Sequence, residues 1–135
     1  MAGLWGLDGG TDVSNVRGVD STDSVSAAKA AAVAVSGKTD LITDGSVIVF
    51  SQGGSHFMEK ITGAGCSLGG VVAVYATAAS PFIAALTATA VCNLAGNRAE
   101  NKVDGPGSFQ IQFLDELYKA TAADIANNPF EIEEV

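Results

Sequence analysis

Residues 62–76 read TGAGCSLGGVVAVYA, a glycine-rich turn that runs directly into a stretch of small and β-branched residues. Glycines in such a turn let successive backbone N–H groups point at one spot. The helix predicted after the turn adds its own unpaired amides and the positive end of its dipole. Together these features favour an anion hole, suited to a phosphate or to a phosphoryl group in transfer. The spacing alone is equally compatible with a tight turn that has only a structural role.

Cys66 lies at the N-terminal end of the helix predicted from this stretch. A helix dipole lowers the pKa of a thiol at this position, so a thiolate there can act as a base, and the thiol can donate a hydrogen bond to a ligand. The alternative is a small buried hydrophobic residue, which is the commoner role of a free cysteine. Cys92 lies among alanines in the next predicted helix, and we expect it to pack in the core.

Upstream of the turn, the sequence predicts short strands. Residues 33–36 (VAVS) form a β-branched run that ends at a glycine, and residues 41–43 and 47–50 flank an Asp-Gly turn, which is typical of a hairpin. Residues 24–32 predict an alanine-rich helix, and residues 56–61 a further strand. Ser36 follows the first strand, at the kind of edge where ligands bind in α/β proteins.

Downstream of the turn, the pattern changes to helices. Pro81 fits the first turn of a helix that runs to Asn101. After a Gly-Pro-Gly loop, Ser108 is placed to cap a third helix, and residues 121–135 carry four acidic residues in what we expect to be a solvated tail. Strands in the first half and helices in the second predict an α/β fold, a small sheet with a hairpin packed by helices.

Composition limits the function further. A length of 135 residues fits one domain, and 47% apolar with 16% charged residues excludes a wholly disordered chain. Seven basic against fifteen acidic residues, with no basic cluster, speak against nucleic acid as a partner. Two cysteines without a CxxC pair, no signal peptide and no apolar stretch long enough to span a bilayer predict a cytoplasmic protein away from membranes. His56 is the single histidine, so we expect a structural role for it and no metal site.

Longer stretches carry a resemblance to a known family. ITGAGCSLGGVVAVYATA, SPFIAALTATAVCNLAGNRAE and GPGSFQIQFLDELY, preceded by RGVDSTDS and VAVSGKTDLITDG, closely resemble hydroxyethylthiazole kinase in the same order. The resemblance covers residues 1–120 and implies the C-terminal half of a ribokinase-like kinase domain; the acidic tail, residues 121–135, follows it. It also implies a trimer that uses ATP and Mg²⁺ to phosphorylate the hydroxyl group of 4-methyl-5-(2-hydroxyethyl)thiazole.

The resemblance also implies roles for individual residues. Gly63, Ala64, Gly65 and Cys66 match the anion-hole loop of the family, with Gly63 next to the thiazole substrate. Cys66 stands where related sugar kinases carry a catalytic aspartate. Ser36 matches a threonine that contacts ATP, and serine keeps the hydroxyl group of that contact.

The sequence departs from the family in two places. The chain has about half the family's length. In the family, the N-terminal half, which this sequence does not match, would hold the ATP-binding arginine and the acidic residues that organise magnesium. The join between the predicted helix and strand, over residues 27–36, is also shorter than usual in the family.

These departures leave three hypotheses. The first is one half of a hydroxyethylthiazole kinase that needs a complementing N-terminal half. The second is a non-catalytic remnant or oligomerising binding module. The third is another ribokinase-like vitamin kinase, which the cysteine after Gly-Ala-Gly disfavours.

Overall fold

A four-stranded antiparallel sheet forms one layer of the computed structural model, which describes residues 32–134. The strands lie in the order β1-β2-β3-β4, and they comprise β1 (Val33–Val35), β2 (Thr39–Thr43), β3 (Val47–Gln52) and β4 (Phe130–Glu134). The predicted hairpin is confirmed, because β2 pairs with β3 and places Ile42 opposite Val49. Both side chains are almost fully buried and lie on the face of the sheet that packs against the helices.

Helices pack against this sheet and against one another. After a 3₁₀ helix (His56–Glu59) come α1 (Ala64–Tyr75), α2 (Pro81–Glu100), α3 (Pro106–Lys119) and the short α4 (Ala122–Ala126). The predicted start of α2 is confirmed: Ser80 caps it and Pro81 occupies its first turn. No helix within residues 32–134 has the length and apolar character needed to cross a membrane.

The 20-residue helix α2 is the centre of the packing. It contacts the first three strands, α1, α3 and α4, and its many buried alanines allow these elements to approach closely. On one side it packs with Phe109 and Phe113 of α3, which are 0% and 1% exposed. On the other, Ala85 packs with Ile42 and Ala34 of the sheet. Elements that sit on α2 therefore have fixed positions relative to one another.

Two local predictions differ from the structure, and a third falls almost entirely on residues that the structure does not describe. The strand predicted over residues 56–61 is wrong: the Ser55 side chain accepts a hydrogen bond from Phe57 N at 3.1 Å and starts a 3₁₀ helix instead. The cap predicted at Ser108 is also wrong, because α3 begins earlier, with Gly105 as cap and Pro106 in its first turn. Of the helix predicted over residues 24–32, all but Ala32 lies outside the described residues.

Within the segment expected to be a solvated tail, residues 122–126 form a helix and residues 130–134 a strand. Thr121 and Asp124 form a reciprocal capping box that starts α4. The chain then returns to the sheet as β4, where Ile132 lies opposite Val49 of β3. The acidic side chains of β4 stay exposed, so they cover a sheet edge with charge.

Candidate functional site

The glycine-rich turn forms the N-terminus of α1. Gly63 is the N-cap, with φ 93° and ψ 3°, in the left-handed region that side chains disfavour. The helix begins at Ala64, and Ser67 N donates the first helical hydrogen bond to Gly63 O at 2.8 Å. Ala64, Gly65 and Cys66 therefore make up the first turn itself, rather than a loop that precedes the helix.

The first turn of α1 has the features of an anion site. Backbone N–H groups of a first helical turn have no partner inside the helix, and no side chain caps α1 in the described part of the protein. A Cβ added at Gly63 would meet no atom of the described residues within 4 Å, so no described group crowds the N-cap on that side. Unpaired amides and the positive end of the helix dipole are the features that favour an anion at a helix N-terminus.

The two cysteines differ in their surroundings. Cys66 is exposed in the first turn of α1, whereas Cys92 is buried in α2. The expected core position of Cys92 is confirmed, and burial raises the pKa of its thiol to about 12. Among the described residues Cys66 is therefore not part of the core, and its thiol lies exposed in the first turn of α1.

Helix α3 supports the turn from behind. Gln110 Nε2 donates a hydrogen bond to Thr62 O at 3.4 Å. The ring of Phe57 in the 3₁₀ helix packs on Phe109 of α3, with ring centroids 5.5 Å apart. The hydrogen bond joins TGAGCSL to GPGSFQ, and the ring contact holds the 3₁₀ helix that precedes the turn against the same segment.

Ser36 lies apart from the turn in the sequence, at the end of β1. Its side chain is half-buried, and the next residue, Gly37, donates its N–H to Asp40 Oδ1 at 2.9 Å. Strand β1 and helix α1 both pack on α2. Ser36 and the α1 turn are therefore held by one common helix.

Sequence reasoning missed a buried polar cluster below Ser36. Asn93 Nδ2 of α2 donates to Asp40 Oδ2 of β2 at 2.6 Å and to Ser51 Oγ of β3 at 3.2 Å. Burial raises the pKa of the Asp40 carboxyl, and the hydrogen bonds from Asn93 and Gly37 oppose that rise. An asparagine in the apolar run AVCNLAG is the one signal in the sequence that could have indicated this cluster.

The remaining candidates are simpler. His56 Nδ1 lies 2.8 Å from Glu100 Oε1 on the surface, so the histidine links the 3₁₀ helix to the end of α2. Within residues 32–134, no group of three or more His, Cys, Asp or Glu side chains could hold a metal ion. These residues do not by themselves fit the Mg²⁺ that the resemblance implies.

Comparison with known proteins gives consistent matches. The model of the hydroxyethylthiazole kinase family matches residues 2–123. A hydroxyethylthiazole kinase of Bifidobacterium adolescentis is 45% identical over 91% of this chain and 49% of its own length. Another, from Bifidobacterium longum strain DJO10A, is 41% identical over 98% of this chain and 51% of its own length. The chain thus spans about half the length of the curated relatives it matches.

The fold also has a counterpart among solved structures. A hydroxyethylthiazole kinase protein from Pyrococcus horikoshii OT3 superposes with a TM-score of 0.77, covering 91% of this chain and 50% of that one. Sequence identity is 24%, so this match concerns the fold. The predicted α/β class, a small sheet packed by helices, is confirmed.

Proposed function

Because the chain belongs to the hydroxyethylthiazole kinase family, we propose that it serves in the transfer of the γ-phosphoryl group of ATP to the hydroxyl group of 4-methyl-5-(2-hydroxyethyl)thiazole. Such a reaction would belong to the synthesis or salvage of thiamine. One observation carries the proposal: the open, uncapped first turn of α1, with the exposed Cys66 thiol in it. This turn offers what phosphoryl transfer needs most, which is positioned positive charge.

The first turn of α1 would bind the phosphoryl group in transfer. Its backbone N–H groups can donate hydrogen bonds to the phosphoryl oxygens, on which negative charge is spread in the transition state. The amides are fixed by the helix before the substrates arrive, so they need no reorganisation during the reaction. Gly63, at the open entrance of the turn, would lie next to the thiazole substrate.

Cys66 would act on the hydroxyl group of the thiazole. As a thiolate, Cys66 can accept the proton that the hydroxyl group loses; as a thiol, it can donate a hydrogen bond to the phosphoryl group. A thiol is a poorer base at neutral pH than a carboxylate, so positioning and charge stabilisation would supply most of the rate. Replacing Cys66 with alanine should therefore lower the rate without abolishing it.

Ser36 would contact ATP from the end of β1. Its hydroxyl group supplies one donor and two acceptor lone pairs, which suffices for a hydrogen bond to the nucleotide. It follows β1 at the end of the sheet where the end of β1, the start of β2 and the end of β3 meet. The common support of β1 and α1 on α2 would hold the nucleotide and the phosphoryl site in register.

The chain spans about half the length of its relatives, so we propose that it acts with a complementing N-terminal half. That half would bring the acidic residues that organise Mg²⁺ and the arginine that binds ATP. The assembly would be a trimer in the cytoplasm, in keeping with two unpaired thiols.

A second candidate function is an oligomerising module without catalysis. The observation that favours it is an exposed apolar face on α3, where Ile111, Leu114 and Tyr118 are 69%, 53% and 91% exposed. Their spacing places them on one side of the helix. This face also fits the assembly of an active enzyme, so a test of activity is needed to separate the two functions.

The test is an assay of ATP-dependent phosphorylation of hydroxyethylthiazole. The chain is assayed alone and after mixing with the N-terminal half of the Bifidobacterium adolescentis relative, with Mg²⁺ present, and product is measured by mass spectrometry. We expect product from the mixture, and a 10- to 1,000-fold lower rate when Cys66→Ala replaces the wild type. Absence of product from a mixture that forms a stable complex would overturn the kinase proposal and favour the module.

A further inference from the structure

The carboxylate of Asp40 is buried and is bound from two sides by uncharged donors. The residue is 6% exposed; Oδ1 accepts from Gly37 N at 2.9 Å and Oδ2 from Asn93 Nδ2 at 2.6 Å. The ion pairs found among residues 32–134 do not include Asp40. A buried carboxylate held in this way is expensive in folding energy, which suggests that its hydrogen bonds serve more than stability.

The geometry shows which part of the protein these hydrogen bonds fix. In the sheet register, Val35 lies opposite Leu41 and Asp40 lies opposite Ser51. The end of β1, the start of β2 and the end of β3 therefore meet at one end of the sheet, the Ser36 end. The Asp40 side chain accepts a hydrogen bond from Gly37 N at this end and so closes the turn that immediately follows Ser36.

Helix α2 contacts the same end of the sheet. Asn93 donates to both Asp40 and Ser51, and its Oδ1 would lie 3.1 Å from a Cβ added at Gly54. The asparagine is thus in close contact with the turn that leads from β3 towards the phosphoryl site. A single side chain of α2 connects the Ser36 turn to that segment.

We infer that Asp40 is a positioning residue for the nucleotide, which fixes the backbone at Ser36 and Gly37 through its hydrogen bonds to Gly37 N and Asn93. This inference rests on the proposed function, because it assumes that Ser36 meets ATP. It assigns to Asp40 no contact with substrate. Its consequence is that loss of the Asp40 hydrogen bonds weakens nucleotide binding more than it disturbs the rest of the fold.

The test measures binding of a fluorescent ATP analogue, mant-ATP, to the full chain mixed with the same N-terminal half. Asp40→Ala removes both hydrogen bonds. The double variant Asp40→Asn with Asn93→Asp exchanges donor and acceptor: the new amide at position 40 still accepts from Gly37 N and donates to the new carboxylate at position 93. If Asp40→Ala fails to unfold cooperatively in urea, Asn93→Ala replaces it: that change removes the donor to Asp40 Oδ2, together with the hydrogen bond to Ser51, and leaves the bond from Gly37 N in place.

A matched control lies at the opposite end of the same sheet, at the last residue of β2. Thr43 is 0% exposed; its Oγ1 donates to Val47 O at 2.6 Å and accepts from Gly45 N at 3.1 Å. Thr43→Val therefore removes the hydrogen bonds between a buried side chain and the β2–β3 turn, and leaves the Ser36 end of the sheet unchanged. Urea unfolding of every variant shows how much stability each change removes.

We expect Asp40→Ala to raise the Kd of mant-ATP at least tenfold, and both Thr43→Val and the exchanged double variant to stay within threefold of the wild type. An unchanged Kd in Asp40→Ala, or a double variant that binds as weakly as Asp40→Ala, overturns the positioning role. In either case, binding of mant-ATP by the wild-type chain leaves the proposed function standing. Absence of binding to the wild type overturns the proposed function, and the positioning role with it.

Discussion

Gly54 and Gly96 touch backbone to backbone: a Cβ added at Gly96 would lie 3.1 Å from the Cα of Gly54 and 3.0 Å from the Sδ of Met58. This contact seats α2 directly on the turn that follows β3. Asn93 of the Asp40 cluster contacts that turn, and the chain continues from it towards Gly63, so we expect the spacing between the helix and the turn to affect both.

Replacing Gly96 with alanine should destabilise the protein. The added methyl group has no room next to the Gly54 backbone, and overpacking of this kind costs about 1–3 kcal/mol. The free energy of unfolding in urea measures the effect. The control is Gly107→Ala in α3, where an added Cβ meets no described atom within 4 Å and alanine should gain up to about 1 kcal/mol from helix propensity. Equal effects of the two changes would contradict the close contact.

The carboxylate of Glu116 should make stability depend on pH. It is 3% exposed and accepts from Lys102 Nζ at 2.7 Å, Gln112 Nε2 at 2.8 Å and Lys119 Nζ at 3.2 Å. The hydrogen bond from Lys102, before the others, lowers the pKa of Glu116 to about 2.

Because that pKa is lower in the folded chain than the unfolded value of about 4.3, Glu116 stabilises the fold above about pH 4. This contribution is lost as the pH falls towards 2. We expect Glu116→Gln to lower the free energy of unfolding at pH 7 and to flatten its decline between pH 5 and pH 2.5. Asp115→Asn, at the exposed neighbouring position, makes the same change in charge. If it flattens the decline equally, the role of Glu116 is refuted.

Gly63→Ala should impair both the fold and the anion site. The cost arises from φ 93° rather than from crowding, because the space at Gly63 is open. A side chain in the left-handed region costs about 1–2 kcal/mol, and relief of that strain would turn the amides of the first turn away from the phosphoryl group. We expect lower stability in urea together with weaker mant-ATP binding to the complex with the N-terminal half.

Gly70→Ala, later in α1 and also in open space, is the matched control for Gly63→Ala. It should raise helix stability by up to about 1 kcal/mol and leave nucleotide binding unchanged. Wild-type binding in the Gly63 variant would refute the special role of that backbone conformation.

Local signals in the sequence predicted much of the fold. The Asp-Gly turn predicted the β2–β3 hairpin, and Pro81 marked the first turn of α2, because both depend on neighbouring residues alone. The strand β4 was missed although Phe130 and Ile132 alternate with glutamates, since the acidic residues suggested a solvated end. Its pairing partner lies in β3, about 80 residues earlier in the chain, and no local signal specifies such a pairing.

The candidate site divides in the same way. The α1 turn could be predicted because its glycines and the helix after them are contiguous, although the extent of the helix into the turn could not. The hydrogen bond between Asp40 and Asn93 spans 53 positions, and it forms only because α2 packs on the end of the sheet next to Ser36. Ser36 was singled out by its place after a strand, and its role in ATP binding stays a prediction.

The two thiols should react at very different rates with iodoacetamide at pH 8. Cys66 is exposed, whereas Cys92 is 2% exposed and burial raises its pKa to about 12, so its reactive thiolate is scarce as well as inaccessible. Peptide mass spectrometry should find one label per native chain, on Cys66, and two labels in 8 M urea. Cys66→Ser should leave the native chain unlabelled. Labelling of Cys92 at a comparable rate in the native chain would contradict its burial, and protection of Cys66 by ATP in the complex with the N-terminal half would support the anion site.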